Sequence, residues 1–206
     1  VNSSTPALEQ ATTIHLVRHG EVENPRGIVY GRLPGYNLSE RGKRQAAEVA
    51  KRLRGAPVGL VWASPLERAQ ETAHVIAAPH GLEIVTDERL IESDTTFEGL
   101  TRSLLGLLRS PQHWWSLRNP LRPSWGETFS EIRARMVSAI DDAVGRSGGR
   151  DVVIVSHQTP VRVATLALSR KRGPPWFPGV PETGSTTTIV LDGERFVSAS
   201  YFRPSV

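Results

Sequence analysis

The chain has 206 residues, of which 38% are hydrophobic and 22% charged, with a formal net charge of +4. This length and balance fit one soluble globular domain spanning residues 1–206 with a sizeable core, and the absence of cysteine excludes disulfides, thiol catalysis and cysteine-ligated metals. No apolar run reaches the length of a membrane span, and the N-terminus lacks a basic region followed by an apolar one, so a cytoplasmic location and no membrane partner are expected. The one run of basic residues, Arg170-Lys171-Arg172, lacks the interleaved aromatics of a single-strand platform, which argues against a nucleic-acid partner.

Residues 1–11 are polar and read as a loose tail. The stretch Thr12-Thr13-Ile14-His15-Leu16-Val17 is β-branched and apolar, as a buried parallel strand should be, and it ends in Arg18-His19-Gly20. Gly20 is expected to turn the chain and let backbone N–H groups approach an anion. Glu23 to Asn37 is a loop dense in turn residues, of a length usually reserved for function. Ser39 then caps a helix through about Arg54, with Ala46, Val49, Ala50 and Leu53 on one face. Val58 to Trp62 reads as a second strand. Ser64-Pro65-Leu66-Glu67 follows as the start of the next helix, with Ser64 at the N-cap, Pro65 in the first turn and Glu67 completing a capping box.

Leu82 to Val85 is a short candidate strand, and Leu100 to Pro123 an irregular Trp-, Arg- and Pro-rich stretch, so residues 100–125 are expected to form an insertion over the active site. Phe129, Ile132, Met136, Ile140 and Val144 mark one face of a helix that stops before Gly148-Gly149. Asp151 to Val155 is a strongly apolar strand followed by Ser156-His157-Gln158 and a helix from near Pro160. Thr186 to Leu191 and Phe196 to Tyr201 close the chain as an antiparallel pair around Asp192-Gly193.

Strand-helix alternation implies a mostly parallel sheet, and in such sheets ligands sit outside the carboxyl ends of the strands. Arg18 and His19, Arg68 and His157 each follow a different strand, so all four side chains are expected on one rim. Two guanidiniums match the oxygens of a phosphate, and two imidazoles can act as nucleophile, donor or acid. A zinc site at His15 and His19 is rejected, because four residues of strand span roughly 13 Å. His15 is read as a partnered strand histidine, and His74, His80 and His113 as surface or structural.

Leu16-Val17-Arg18-His19-Gly20-Glu21, Ser64-Pro65-Leu66-Glu67-Arg68-Ala69-Gln70-Glu71-Thr72-Ala73, Leu90-Ile91-Glu92 before Phe97-Glu98-Gly99, and Val155-Ser156-His157 together resemble the ordered signature of the histidine phosphatase superfamily, the phosphoglycerate mutase-like proteins. The resemblance covers about residues 13–169, and Gly126-Glu127-Thr128 with Arg133 resembles the family's Gly-Glu-Ser segment and its downstream arginine. It implies a three-layer α/β/α sandwich, a phosphohistidine on His19, no metal and no cofactor. Arg18, Arg68 and His157 would hold the phosphoryl group and Glu92 would be the proton donor.

The chemistry agrees with that assignment: attack on phosphorus needs His19 unprotonated on its reacting nitrogen, with the other nitrogen donating to a backbone carbonyl. The sequence departs from the family pattern in four places. Val22 stands where a Thr is usual, Asn24 comes one residue earlier than the usual phosphate-loop Asn, and Gln158 replaces a Gly. The spacing from Glu92 to Glu98-Gly99 is one residue short, which keeps Glu98 as the alternative acid, although the Leu-x-Glu pattern favours Glu92.

The expectation is a phosphatase acting on a small phosphomonoester. The alternatives are a phosphoglycerate mutase-type phosphoryl transfer and a noncatalytic phospholigand-binding protein on the same fold. Candidate phosphate or substrate contacts are Arg18, Asn24, Tyr30, Arg32, Arg68, His157 and Gln158. Trp114, Trp115, Trp125 and Trp176 are candidates for the walls of the cleft or for a homodimer interface, with core packing as the plain alternative.

Overall fold

The computed structural model describes residues 11–101, 126–169 and 179–206. Nearly all of the expected tail, most of the expected insertion, His113, Trp114, Trp115, Trp125, Trp176 and the Arg170-Lys171-Arg172 run lie outside the described residues. The elements are β1 (Thr12–Arg18), α1 (Glu40–Leu53), β2 (Val58–Ala63), α2 (Glu67–Ala77), β3 (Ile84–Thr86), α3 (Phe129–Arg146), β4 (Asp151–Ser156), α4 (Gln158–Leu168), β5 (Thr186–Asp192) and β6 (Arg195–Phe202). They build a six-stranded sheet in the order β3-β2-β4-β1-β5-β6. The four strands from β3 to β1 run parallel, while β5 and β6 are an antiparallel addition at one edge.

Apolar side chains on both faces of the inner strands explain the layering. Ile14 and Leu16 of β1 and Val152 and Ile154 of β4 pack with Ile132, Met136 and Ile140 of α3 and Val161 of α4. The alternate residues Val17, Val153 and Val155 pack on the other face with Val49 and Leu53 of α1 and Ala69 and Ile76 of α2. The result is an α/β/α sandwich, and each of these valine, leucine, isoleucine and methionine side chains contributes about 1.5–3 kcal/mol by its burial.

Local sequence sets the helix ends. Ser39 Oγ accepts from Gly42 N at 3.1 Å to start α1, and Thr128 and Glu131 form a reciprocal capping box on α3. Two expected starts move. Pro65 and Leu66 stay out of α2, which begins at Glu67 with no side-chain cap. The Ser64 hydroxyl is taken by the His157 ring at 2.7 Å, and the Glu67 carboxylate accepts from Gly35 N instead of closing a box. In the other direction, α4 begins at Gln158 rather than at Pro160, with His157 at the N-cap. Pro160 fits there because its missing N–H falls in a first turn that makes no intrahelical bond.

Candidate active site

Strand register brings the expected groups level. Arg18 on β1 pairs with Ser156 on β4, and His19 N donates to Ser156 O at 3.0 Å, so His19 and His157 leave adjacent strands side by side. Their ring centroids are 5.1 Å apart. Ala63 on β2 pairs with Val155 on the other side of β4, which delivers Ser64 to His157 and starts α2 with Arg68 in its first turn. Arg68 is fully buried, and its Nε donates to His19 Nε2 at 3.3 Å. His19, Arg68 and His157 are therefore brought together, while Arg18 lies in the wall of an adjoining cavity with its Nη1 donating to Pro181 O at 2.7 Å.

His19 Nδ1 lies 2.7 Å from Gly20 O, a partner that only accepts. Nδ1 must carry the hydrogen, which leaves a lone pair on Nε2. Burial first, and then the Arg68 and Arg18 charges, hold the His19 pKa well below its ordinary value. Burial, His19, Arg68, Arg18 and Arg135 do the same for His157. Both imidazoles are neutral at physiological pH. If Ser64 donates its hydroxyl hydrogen to His157 Nε2, His157 Nδ1 becomes a donor. That buried Nδ1 and the buried Arg68 Nη1 have no hydrogen-bond partner among the described residues. Two orphaned donors beside a lone pair on nitrogen suit a tetrahedral anion.

The glycine after His19 has a different reason from the expected one. Gly20 N donates to Thr72 Oγ1 at 3.1 Å, so it faces α2 rather than an anion. A Cβ on Gly20 would lie 2.5 Å from Gly42 O, so the residue is small because the loop lies flat on the first turn of α1. Gly31 is needed for its backbone: it sits at φ +38°, and its carbonyl accepts from Arg68 Nη2 at 2.6 Å.

Arg18, Tyr30, Gly31, Glu92 and Gln158 line a cavity of about 290 Å³. His19, Arg68 and His157 form no part of its wall. Arg18 and Gln158 adjoin the two histidines in the chain, and the Gly31 carbonyl joins Arg68 to the cavity. A phosphoryl group reaching His19 Nε2 must therefore take over the hydrogen bond that Arg68 Nε now makes to it.

The remaining candidates divide. Tyr30 is buried, lies under the Arg68 guanidinium at 4.8 Å and stacks on Tyr36. Glu92 faces the cavity, with Ser93 N and Oγ donating to its Oε1 at 2.8 and 3.2 Å. Glu98 is not in the cavity wall; its carboxylate accepts from Arg32 N. Asn24 is also outside the wall and spends its amide closing its own loop on Ile28 N and O. Arg32 is not in the cavity wall but bonds two residues that are: its Nε donates to Glu92 O at 2.8 Å and its Nη2 to Glu127 at 3.4 Å. His15 bonds Thr188 and Asp151, and His74 is exposed on α2.

Arg133 is exposed on α3, and Arg135 instead makes the bidentate pair with Glu127 at 2.6 and 2.8 Å. Two positions along a helix turn a side chain by about 200°, which puts Arg133 and Arg135 on different faces of α3. Ser64, Ser156 and Arg135 were missed as site supports. Ser64 and Ser156 could have been found by their positions at strand ends; nothing in the sequence marks Arg135.

A buried neutral histidine held by the next residue's carbonyl, with arginines and a second histidine near the ends of parallel strands, is an arrangement that can receive a tetrahedral anion. The sequence profile of the histidine phosphatase superfamily (branch 1) matches residues 14–203, and the chain belongs to that family. It is 48% identical over 202 residues to the uncharacterized protein Rv0525 of Mycobacterium tuberculosis, covering 96% of this chain and 99% of the relative. It is 32% identical over 160 residues to phosphoserine phosphatase 1 of Hydrogenobacter thermophilus, covering 74% of each. Among solved structures, YhfR of Bacillus stearothermophilus superposes with a TM-score of 0.75 at 30% identity, covering 90% of this chain and 94% of that one. Among the described residues, no helix is long and apolar enough to cross a membrane.

Proposed function

We propose that the protein is a phosphatase that hydrolyses a small phosphomonoester through a phosphohistidine on His19. The observation that carries this reading is the fixed His19 tautomer, with Nδ1 bound to Gly20 O and the Nε2 lone pair facing Arg68 Nε beside His157. His19 Nε2 attacks phosphorus as the ester oxygen leaves, and Glu92 gives that oxygen its proton. Charge on the equatorial oxygens is met by Arg18, Arg68 and the Nδ1–H of His157. Water then attacks the phosphohistidine, its proton passes to the Glu92 carboxylate, and phosphate departs. The sum is ester plus water to alcohol plus phosphate, with His19 and Glu92 restored.

Glu92 is preferred to Glu98 as the acid because Glu92 faces the cavity that adjoins both histidines, whereas the Glu98 carboxylate is held by the Arg32 backbone. The likeness to a phosphoserine phosphatase supports hydrolysis of a small phosphorylated metabolite.

The test is a screen of phosphorylated metabolites with alkaline quenching to retain labelled phosphohistidine. Wild-type protein should release free phosphate and trap label, and His19→Asn should do neither. Label returned to a bound intermediate as an isomer would establish the mutase reaction instead, and saturable binding without turnover would establish a phospholigand-binding protein.

A further inference from the structure

The segment that carries Glu92 is held in an unusual way. Four consecutive backbone carbonyls each accept a side-chain donor from elsewhere in the fold. Arg135 Nη1 donates to Arg89 O at 2.6 Å and to Ile91 O at 2.8 Å, Ser156 Oγ to Leu90 O at 2.6 Å, and Arg32 Nε to Glu92 O at 2.8 Å. Three of these four bonds come from two arginines, and both arginines are held by Glu127. Arg135 binds Glu127 through Nε and Nη2 at 2.6 and 2.8 Å, and Arg32 Nη2 reaches the same carboxylate at 3.4 Å.

Glu127 lines the same cavity as Glu92, which makes it look like a second acid or a substrate contact. Its oxygens, however, already accept from guanidinium N–H groups on both sides, so it acts there as an acceptor. Among the described residues, the Glu92 carboxyl accepts from the adjacent Ser93 N–H and hydroxyl alone, through Oε1. Where that carboxyl points is therefore decided by where the backbone of 89–92 is placed.

We propose that Glu127 is a positioning residue for the proton donor: with Arg135 and Arg32 it clamps residues 89–92 so that the Glu92 carboxyl meets the departing oxygen. This rests on the assignment of Glu92 made above. The clamp joins three parts of the chain, the loop after β1, the segment after β3 and the first half of α3, so closing it sets all three around the cavity at once. A shift of about 1 Å in a group that must meet a reacting atom can cost on the order of a hundredfold in rate.

The test separates positioning from mere structural support by the leaving group. An alkoxide needs the proton of Glu92, and a nitrophenolate does not. Glu127→Gln, which keeps one acceptor oxygen but loses the bidentate charge, should lower kcat/KM on an alkyl phosphate by about 10–100-fold. On p-nitrophenyl phosphate, kcat/KM, which ends at departure of the nitrophenolate and so excludes the later hydrolysis in which Glu92 takes the proton of water, should fall by no more than about threefold. Arg135→Lys should behave alike, and in a Glu92→Gln background Glu127→Gln should add no further loss on the alkyl ester.

Amide hydrogen exchange reads the clamp without relying on turnover. The N–H groups of Leu90, Ile91 and Ser93 should exchange about tenfold faster in Glu127→Gln, with those of β1 and β4 unmoved. Equal losses on both esters, multiplying losses in the double variant, or unaltered exchange at residues 90–93 would each overturn the proposal. If Glu92→Gln itself shows no dependence on the leaving group, the assignment of Glu92 as the acid fails, while the exchange measurement still decides whether Glu127 holds the segment.

Discussion

Arg68 is a cation with no exposed surface, and replacing it with Met separates what the site does from what holds the fold together. Burial pulls its pKa down, with nearby Tyr30 and Glu92 acting in the opposite sense, so the folded chain carries this charge at a cost. Met removes the Nη2 bond to Gly31 O, worth about 1–3 kcal/mol, and the stacking over Tyr30, worth about 0.5–2 kcal/mol. It also relieves a buried charge, a change that in comparable cases returns about 1–4 kcal/mol. These terms nearly cancel, so stability should move by less than about 2 kcal/mol in either direction. Activity has no such compensation. Nε and the orphaned Nη1 are both available to a phosphoryl group, and two charge-assisted bonds at about 1.5–3 kcal/mol each correspond to a loss of roughly 10²–10⁴-fold in kcat/KM. The assay is turnover of p-nitrophenyl phosphate beside urea denaturation of the same samples. Arg68→Lys is the control, since it keeps the charge but loses the fork and should remain severely impaired. A variant within tenfold of wild-type activity, or one that fails to fold, would refute the reasoning.

Other outcomes follow from the same geometry. The depressed pKa values of His19 and His157 mean that below pH 6.5 the unfolded chain binds protons that the folded chain refuses. Stability should be full above pH 6.5 and decline on acidification by up to about 1.4 kcal/mol per pH unit for each histidine, and His157→Asn should remove one share of that slope in urea titrations from pH 7.5 to 5. Ser64→Ala frees the His157 tautomer and should lower kcat about tenfold with a smaller change in KM; an unaltered kcat would show that the hydroxyl does not set the ring. Gly20→Ala drives a methyl group into the Gly42 backbone and should cost about 1–3 kcal/mol, visible as a lower thermal midpoint. Because arginines rather than a metal are proposed to meet the phosphoryl charge, turnover should survive prolonged chelation, and loss rescued by a divalent ion would contradict the proposed mechanism.

The strands, helices and rim residues were readable because each is written locally. The β-branched run before Arg18 makes a buried strand whatever surrounds it, the apolar stripe from Phe129 to Val144 makes a helix face, and alternation of the two forces a parallel sheet. Arg18, His19, Arg68 and His157 are legible as rim candidates in the sequence, since each lies at a strand end, just beyond one, or in the first helical turn that follows. What only the tertiary structure decided are matters of partner choice at long range. Ser64 was free to cap a helix until β2 and β4 set it against His157, and Arg32 looked like a substrate contact until the fold offered it the Glu92 carbonyl. Glu127 selected Arg135 over Arg133 because only one of the two faces it from α3. A side chain's chemical type is fixed by its own codon, but which donor meets which acceptor depends on distances set by the fold, across as many as 93 residues in these pairs. That is why the identity of the site could be read along the chain and its internal wiring could not.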